Sequence, residues 1–165
     1  MKREFAIALG LAASATAGFA DPFMTPPTVT REVVLPTPAA QVWSEFGQFC
    51  SLTKWQDLVA SCEVTQKADG IYRTAVMTDD SAYVERLIHY SDDSMSFGYS
   101  MLSGPAPVSD YIALFDVDAV DETSSVVRIS AWYSVSDGAT HEVVDAILTD
   151  LFDNGLRGMT DLLTN

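Results

Sequence analysis

The sequence predicts an α+β domain, an antiparallel sheet of about seven strands closed by one long C-terminal helix. Three observations predict it. Short alternating apolar segments separated by turn residues run from Leu58 to Val135, a strand and two short helical segments precede them, and a helix-period apolar stripe ends the chain.

In order, residues 1–20 read as a secretory signal outside the fold: Lys2 and Arg3, then an apolar stretch from Phe5 to about Ala17, then small residues at Gly18 and Ala20 before Asp21. Cleavage is expected after Ala20, with Ala17 as the alternative cut. The stretch falls short of the roughly 20 residues that a spanning helix needs, and no other segment qualifies, so no membrane span is expected in the mature chain. Residues 21–27 hold Pro22, Pro26 and Pro27 and read as an extended leader. Residues 28–165 then form one domain, within the usual size for a single core.

Thr28 to Leu35 alternates as a strand, with Val29, Arg31 and Val33 opposite Thr30, Glu32 and Val34. Pro36 and Pro38 stop it, and Thr37 is placed to cap a helix carrying Val42, Trp43 and Phe46. Gly47 ends that helix, and a shorter helical turn follows at Ser51 to Trp55. Turn signals at Ala68-Asp69-Gly70, Thr78 to Ser81, Ser91 to Ser94, Gly104 to Pro107 and Asp121 to Ser125 cut the next stretch into about six strands.

Met95, Phe97, Tyr99 and Met101 share one face of a strand whose other face is Ser96, Gly98 and Ser100. In the strand before it, Tyr83, Glu85, Leu87 and His89 share one parity and Val84, Arg86, Ile88 and Tyr90 the other. Pattern alone leaves open which set faces inward. In the last strand Val127, Ile129, Ala131 and Tyr133 are the more apolar set, with Trp132 opposite.

A helix from about Ala139 to Leu163 carries Val143, Val144, Ile147, Leu148, Leu151, Phe152, Leu156, Met159, Leu162 and Leu163 as an apolar stripe. Only the concave face of the sheet is large enough to receive it. Gly155 and Gly158 each cost a helix roughly 1 kcal/mol relative to alanine, which points to a close approach or bend near the sheet.

The chain is acidic, with 9 basic and 23 acidic residues and a formal net charge of −14, made one unit more negative when Lys2, Arg3 and Glu4 leave with the signal. Such a surface repels nucleic-acid backbones and anionic lipid, so no nucleic-acid partner is expected. Cys50 and Cys62 are the only cysteines. They read either as a disulfide, which an exported chain permits, or as two buried thiols.

The acidic groups Asp79-Asp80, Asp92-Asp93 and Asp116 to Glu122 do not have the ordered spacing of a calcium loop, and no metal is expected. Nucleophile-elbow and phosphate-binding glycine motifs are absent, and no cofactor is expected. His89 and His141 have no nucleophile beside them and read as ordinary surface or core residues.

The element order resembles the helix-grip fold of the SRPBCC (START-like) superfamily, which includes the major birch pollen allergen, plant abscisic-acid receptors and bacterial polyketide cyclase/dehydrase-like proteins. The resemblance runs from about Val29 to Leu163. It is carried by Phe46-Gly47-Gln48-Phe49 through Lys54-Trp55, by Gly70-Ile71-Tyr72-Arg73, by Glu85-Arg86-Leu87, by Ser103-Gly104-Pro105-Ala106-Pro107-Val108-Ser109-Asp110-Tyr111, and by Trp132. Two departures stand out. Trp55 is followed by Gln56 and Asp57, where many relatives place a proline two residues after the tryptophan. Asp79-Asp80-Ser81-Ala82 lacks the sequence of the receptors' gate, so gating by a ligand is not carried over.

The resemblance implies a cavity for a small hydrophobic or amphipathic ligand between the sheet and the terminal helix. Trp55, Tyr83, Phe97, Tyr99, Met101, Tyr111, Phe115 and Phe152 are its candidate lining. Relatives of the lachrymatory-factor-synthase type place an arginine and a glutamate in that cavity, and Arg73 and Glu85 are the matching positions. Three readings follow: an exported ligand-binding protein, periplasmic or secreted; a cofactor-independent acid–base catalyst of the polyketide cyclase/dehydrase type using Glu85 and Arg73; or a protein-interaction module with a filled core. Arg73 and Glu85 forming nothing more than a cross-strand ion pair is the competing account of that pair. Oligomeric state is left open by the sequence.

Overall fold

A computed structural model describes residues 22–136 and 138–164. The expected signal segment lies outside the described residues. Where the sequence alternates, the chain forms strands, and where apolar residues recur every three or four positions it forms helices. The elements are β1 (Val29–Leu35), α1 (Ala39–Phe46), α2 (Leu52–Trp55), β2 (Val59–Lys67), β3 (Gly70–Met77), β4 (Ala82–Ser91), β5 (Ser96–Ser103), β6 (Val108–Ala119), β7 (Ser125–Val135) and α3 (His141–Thr164).

The seven strands form one antiparallel sheet in the order β1-β7-β6-β5-β4-β3-β2, so β2 to β7 are a meander and β1 adds to β7. This is the α+β helix-grip arrangement. All the turn signals fall between consecutive strands, and Gly70 opens β3 at φ 151°.

The inner face takes Tyr99 and Phe97 from β5, Ala113, Phe115 and Val117 from β6, and Val127, Ile129, Ala131 and Tyr133 from β7. β7 thus turns its apolar parity inward. Trp132 lies outside, where it packs on Phe23 at 5.4 Å between ring centroids and donates from Nε1 to the Thr25 carbonyl at 2.8 Å. Residues 22–27 are therefore pinned to the outer face of the sheet, and they include a single 3-10 turn at Pro22–Met24 rather than being extended throughout.

Three local details differ from expectation. Thr37 does not cap α1: Pro38 occupies the cap position without a side-chain bond, and the buried Thr37 instead gives its carbonyl to the Ser125 hydroxyl. β4 carries a bulge between Leu87 and His89 that reverses its parity, so His89 leaves Glu85's face for the outer one and Tyr90 turns inward against Trp43. The buried face of α3 is narrower than its apolar stripe, since Val143, Ile147 and Leu162 are exposed while Val144, Leu148, Phe152, Leu156 and Met159 are buried.

The α3 backbone comes nearest to β1, β7 and α2. The approach that Gly155 and Gly158 permit is to α2 rather than to the sheet. A Cβ on Gly158 would run into the Trp55 carbonyl, and one on Gly155 into the Trp55 ring. On the opposite flank Arg31 of β1 ties to Asp153 of α3 through Nε at 2.6 Å and Nη2 at 2.9 Å. Cys50 and Cys62 form a disulfide with Cα atoms 5.6 Å apart, joining the α1–α2 connection to β2. Among the described residues no helix is long and apolar enough to cross a membrane.

Candidate functional site

Because α3 presses on α2, β1 and β7, the space over β3 to β6 is only partly filled. A chamber of about 70 Å³ remains there, large enough for several waters or the end of a small ring, at about 10–15 Å³ of such space per water. It adjoins a wider groove of about 690 Å³ between the β3–β4 turn, Pro105 and α3. Met77, Tyr83 and Leu151 line both, so they form the neck between chamber and groove.

Of the candidate lining residues, Trp55, Tyr83, Tyr99, Met101, Tyr111 and Phe152 border the chamber. Phe97 and Phe115 do not. They stack on each other at 5.0 Å between ring centroids and pack with Trp43, Trp55 and Phe49 in the filled end of the core. Sequence reading missed Leu52, Gln56, Val59, Ala75, Met77, Ile129, Leu148 and Leu151 in the wall. Leu148 and Leu151 were legible in the α3 stripe, and Ala75 and Met77 share Arg73's parity on β3. Gln56 stood out in the sequence only within the departure from the family pattern after Trp55, not as a wall residue.

Arg73 and Glu85 also border the chamber. They sit directly opposite each other on β3 and β4, which turns both side chains to the same face. Arg86, the next residue, lies on the other face, where its Nη2 donates to the Asp69 carbonyl. Arg73 is 4% and Glu85 6% exposed. Arg73 Nε donates to Glu85 Oε2, and its Nη1 donates to the Phe49 carbonyl. The guanidinium lies over the Phe49 ring at 4.3 Å and the Tyr99 ring at 4.5 Å. The cross-strand ion pair and the cavity-facing pair are thus the same object: an internally satisfied charge pair set into the chamber wall.

Phenols surround it. Burial pushes the Tyr99 phenol up to about 12, with the negative charge of Glu85 adding to the effect and Arg73 opposing it. Tyr111 is also raised well above its ordinary value, by burial first and then by Tyr99 and Glu85. Tyr83 is raised by burial and by Glu85. These hydroxyls stay protonated across the biological pH range and serve as neutral hydrogen-bond donors. His89 bonds Ser96 on the outer face, and His141, at the start of α3, packs against Tyr133 with its ring tilted and the centroids 6.1 Å apart. Neither borders the chamber. The described residues contain no His/Cys/Asp/Glu group arranged to hold a metal ion.

The sequence matches the family described as polyketide cyclase / dehydrase and lipid transport over residues 26–164. No curated protein matches it. The fold is similar to that of the protein XoxI from Bacillus cereus, at TM-score 0.78 and 22% identity over 83% of this chain and 95% of that one. It is also similar to a START superfamily protein from Mycobacterium smegmatis, at TM-score 0.69 and 10% identity over 82% and 95%. The di-domain ARO/CYC BexL from the BE-7585A biosynthetic pathway matches at TM-score 0.69 and 11% identity over 81% of this chain and 45% of its own. With its meander, its terminal helix and a partly open interior between them, this chain belongs to the polyketide cyclase / dehydrase and lipid transport family.

Proposed function

We propose that this protein is exported and binds a small hydrophobic or amphipathic ligand, one end in the chamber and the rest in the groove. The observation that carries the reading is the apolar chamber between sheet and α3 that opens past Met77, Tyr83 and Leu151 into a groove roughly ten times its volume. The chamber takes a ring or a chain end; a larger ligand extends outward into the groove. Native mass spectrometry of protein purified from its host and displacement of an apolar dye test it. A retained small molecule and displaceable dye are expected, and their joint absence refutes the reading.

Export to the periplasm or medium rests on the signal-like residues 1–20 and agrees with a disulfide, which persists in oxidising compartments. Fractionation of host cells carrying the full chain or a chain lacking residues 1–20 checks it. Recovery of the full chain from the cytosol in unprocessed form refutes it.

A second reading is supported by the wall itself, where Glu85, Arg73 and protonated phenols face one space. In that reading the protein is a cofactor-independent acid–base catalyst, with Glu85 moving a proton and Arg73 or Tyr99 polarising a substrate oxygen. The double variant Arg73→Met/Glu85→Leu removes both charges together. A catalyst turns over a carbonyl-bearing aromatic substrate and loses that turnover in the variant while keeping dye affinity, whereas a pure binder shows no turnover in either form.

A further inference from the structure

We propose that Gln56 is the specificity-determining residue of the chamber: its Oε1 accepts a hydrogen bond from a hydroxyl or N–H group on the inserted end of the ligand. The inference rests on the ligand-binding reading above and adds the chemical class of the ligand.

Gln56 follows Trp55 at the end of α2 and is 5% exposed. Its Nε2 donates to the Leu151 carbonyl of α3 at 2.8 Å. That bond fixes which way the amide faces, since the reversed amide would set two acceptors against each other. A Cβ on Gly155 would stand 3.1 Å from the same Nε2, so the amide is wedged between α2 and α3 and has little room to turn. Its Oε1 is buried without a hydrogen-bond partner, and Gln56 borders the chamber.

A buried acceptor left unpaired is costly, and the amide's other half is already committed, so the vacant lone pairs call for a donor brought into the chamber. The same logic holds in the groove, where the buried Asn154 Oδ1 also lacks a partner. Anionic ligands fit poorly. Arg73 is neutralised by Glu85, and in the groove, with Asp153 already paired to Arg31, Asp79 and Asp150 stand against a single lining cation, Arg157. The ligand class is therefore an uncharged amphipath bearing an alcohol, phenol or N–H on its inserted end, rather than a free fatty acid.

Calorimetric titration with para-butylphenol, its methyl ether para-butylanisole, and butylbenzene tests this. These share a ring and chain and differ in the donor. Wild-type protein is expected to bind the phenol about three- to tenfold more tightly than either of the others, the yield of one neutral hydrogen bond. In Gln56→Met that preference collapses while butylbenzene affinity stays within about threefold, as expected when only the polar contact is lost. Equal binding of phenol and anisole by the wild type overturns the proposal without any variant, and so does a phenol preference that survives Gln56→Met. Binding of butylbenzene with no phenol preference leaves the ligand-binding reading standing and sinks only the role of Gln56. Failure of all three probes to bind sinks both.

Discussion

At the residue scale the chamber is organised by a buried ion pair, and that changes what substitutions there report. Glu85→Gln leaves the Arg73 guanidinium buried with its counter-charge removed, a situation that costs about 3–5 kcal/mol. Glu85→Gln is therefore expected to lower the urea midpoint strongly, and Arg73→Met/Glu85→Leu to recover most of the loss, in equilibrium unfolding. A loss of activity in Glu85→Gln by itself would report unfolding as readily as chemistry. The phenols give a second expectation. All six tyrosines have raised values, Tyr99 to about 12, with burial the first cause for Tyr83, Tyr90, Tyr99, Tyr111 and Tyr133 and a hydrogen bond to Asp69 for Tyr72. Between pH 10 and 11 the unfolded chain, with tyrosines near their ordinary value of about 10, sheds phenolic protons that the native chain keeps. Stability is thus fully present below pH about 10 and falls as pH rises beyond it. Ultraviolet phenolate absorbance should be much lower in native than in denatured protein across that window, and Tyr99→Phe should remove a component that appears only near pH 12.

At the element scale, the seam between α2 and α3 decides where the interior is open. Alanine normally improves a helix over glycine by roughly 1 kcal/mol. Gly158→Ala should do the opposite, because the added methyl meets the Trp55 carbonyl, a backbone atom that cannot swing away. A net loss of about 1–3 kcal/mol is expected, typical of overpacking, seen as a thermal midpoint lower by several degrees. An unchanged or raised midpoint would show that the two helices stand further apart. The bulge in β4 acts on the same scale: by reversing parity after Leu87 it keeps Glu85 on the chamber wall yet sends His89 to the outer face, out of reach of a ligand.

At the scale of the whole molecule, the seven strands form a single antiparallel sheet with two edges, and its edge strand β2 is largely exposed. The Cys50–Cys62 bridge ties that edge back to the α1–α2 connection across a separation of 12 residues, enclosing α2 with Trp55 and Gln56. Closing a loop of this size restricts the unfolded chain by about 3 kcal/mol. Reduction under native conditions should lower unfolding stability by that order and, since the bridge encloses α2, weaken ligand binding with it. A reduced protein as stable as the oxidised one would place the anchoring of α2 in its contact with α3 alone.

Much of this architecture was legible in the residues. Turn residues between alternating stretches delimit the strands, since only such residues adopt tight turns cheaply, and the 3.6-residue period of Val144, Leu148 and Phe152 marks α3. Arg73 and Glu85 were readable as a pair only through the family resemblance, and the register of β3 on β4 then sets them directly opposite each other. Tertiary structure alone decided the rest. The bulge at Leu87–His89 has no compositional mark, so counting by twos carried His89 to the wrong face. Phe97 and Phe115 look no different from Tyr99 and Tyr111, yet the first two fill the core and the others border a void. A cavity is the small remainder after many side chains pack at once, and no one of them encodes it. Gln56 is the sharpest case: its acceptor is left vacant only because α3, brought close by Gly155 and Gly158, claims the other half of its amide.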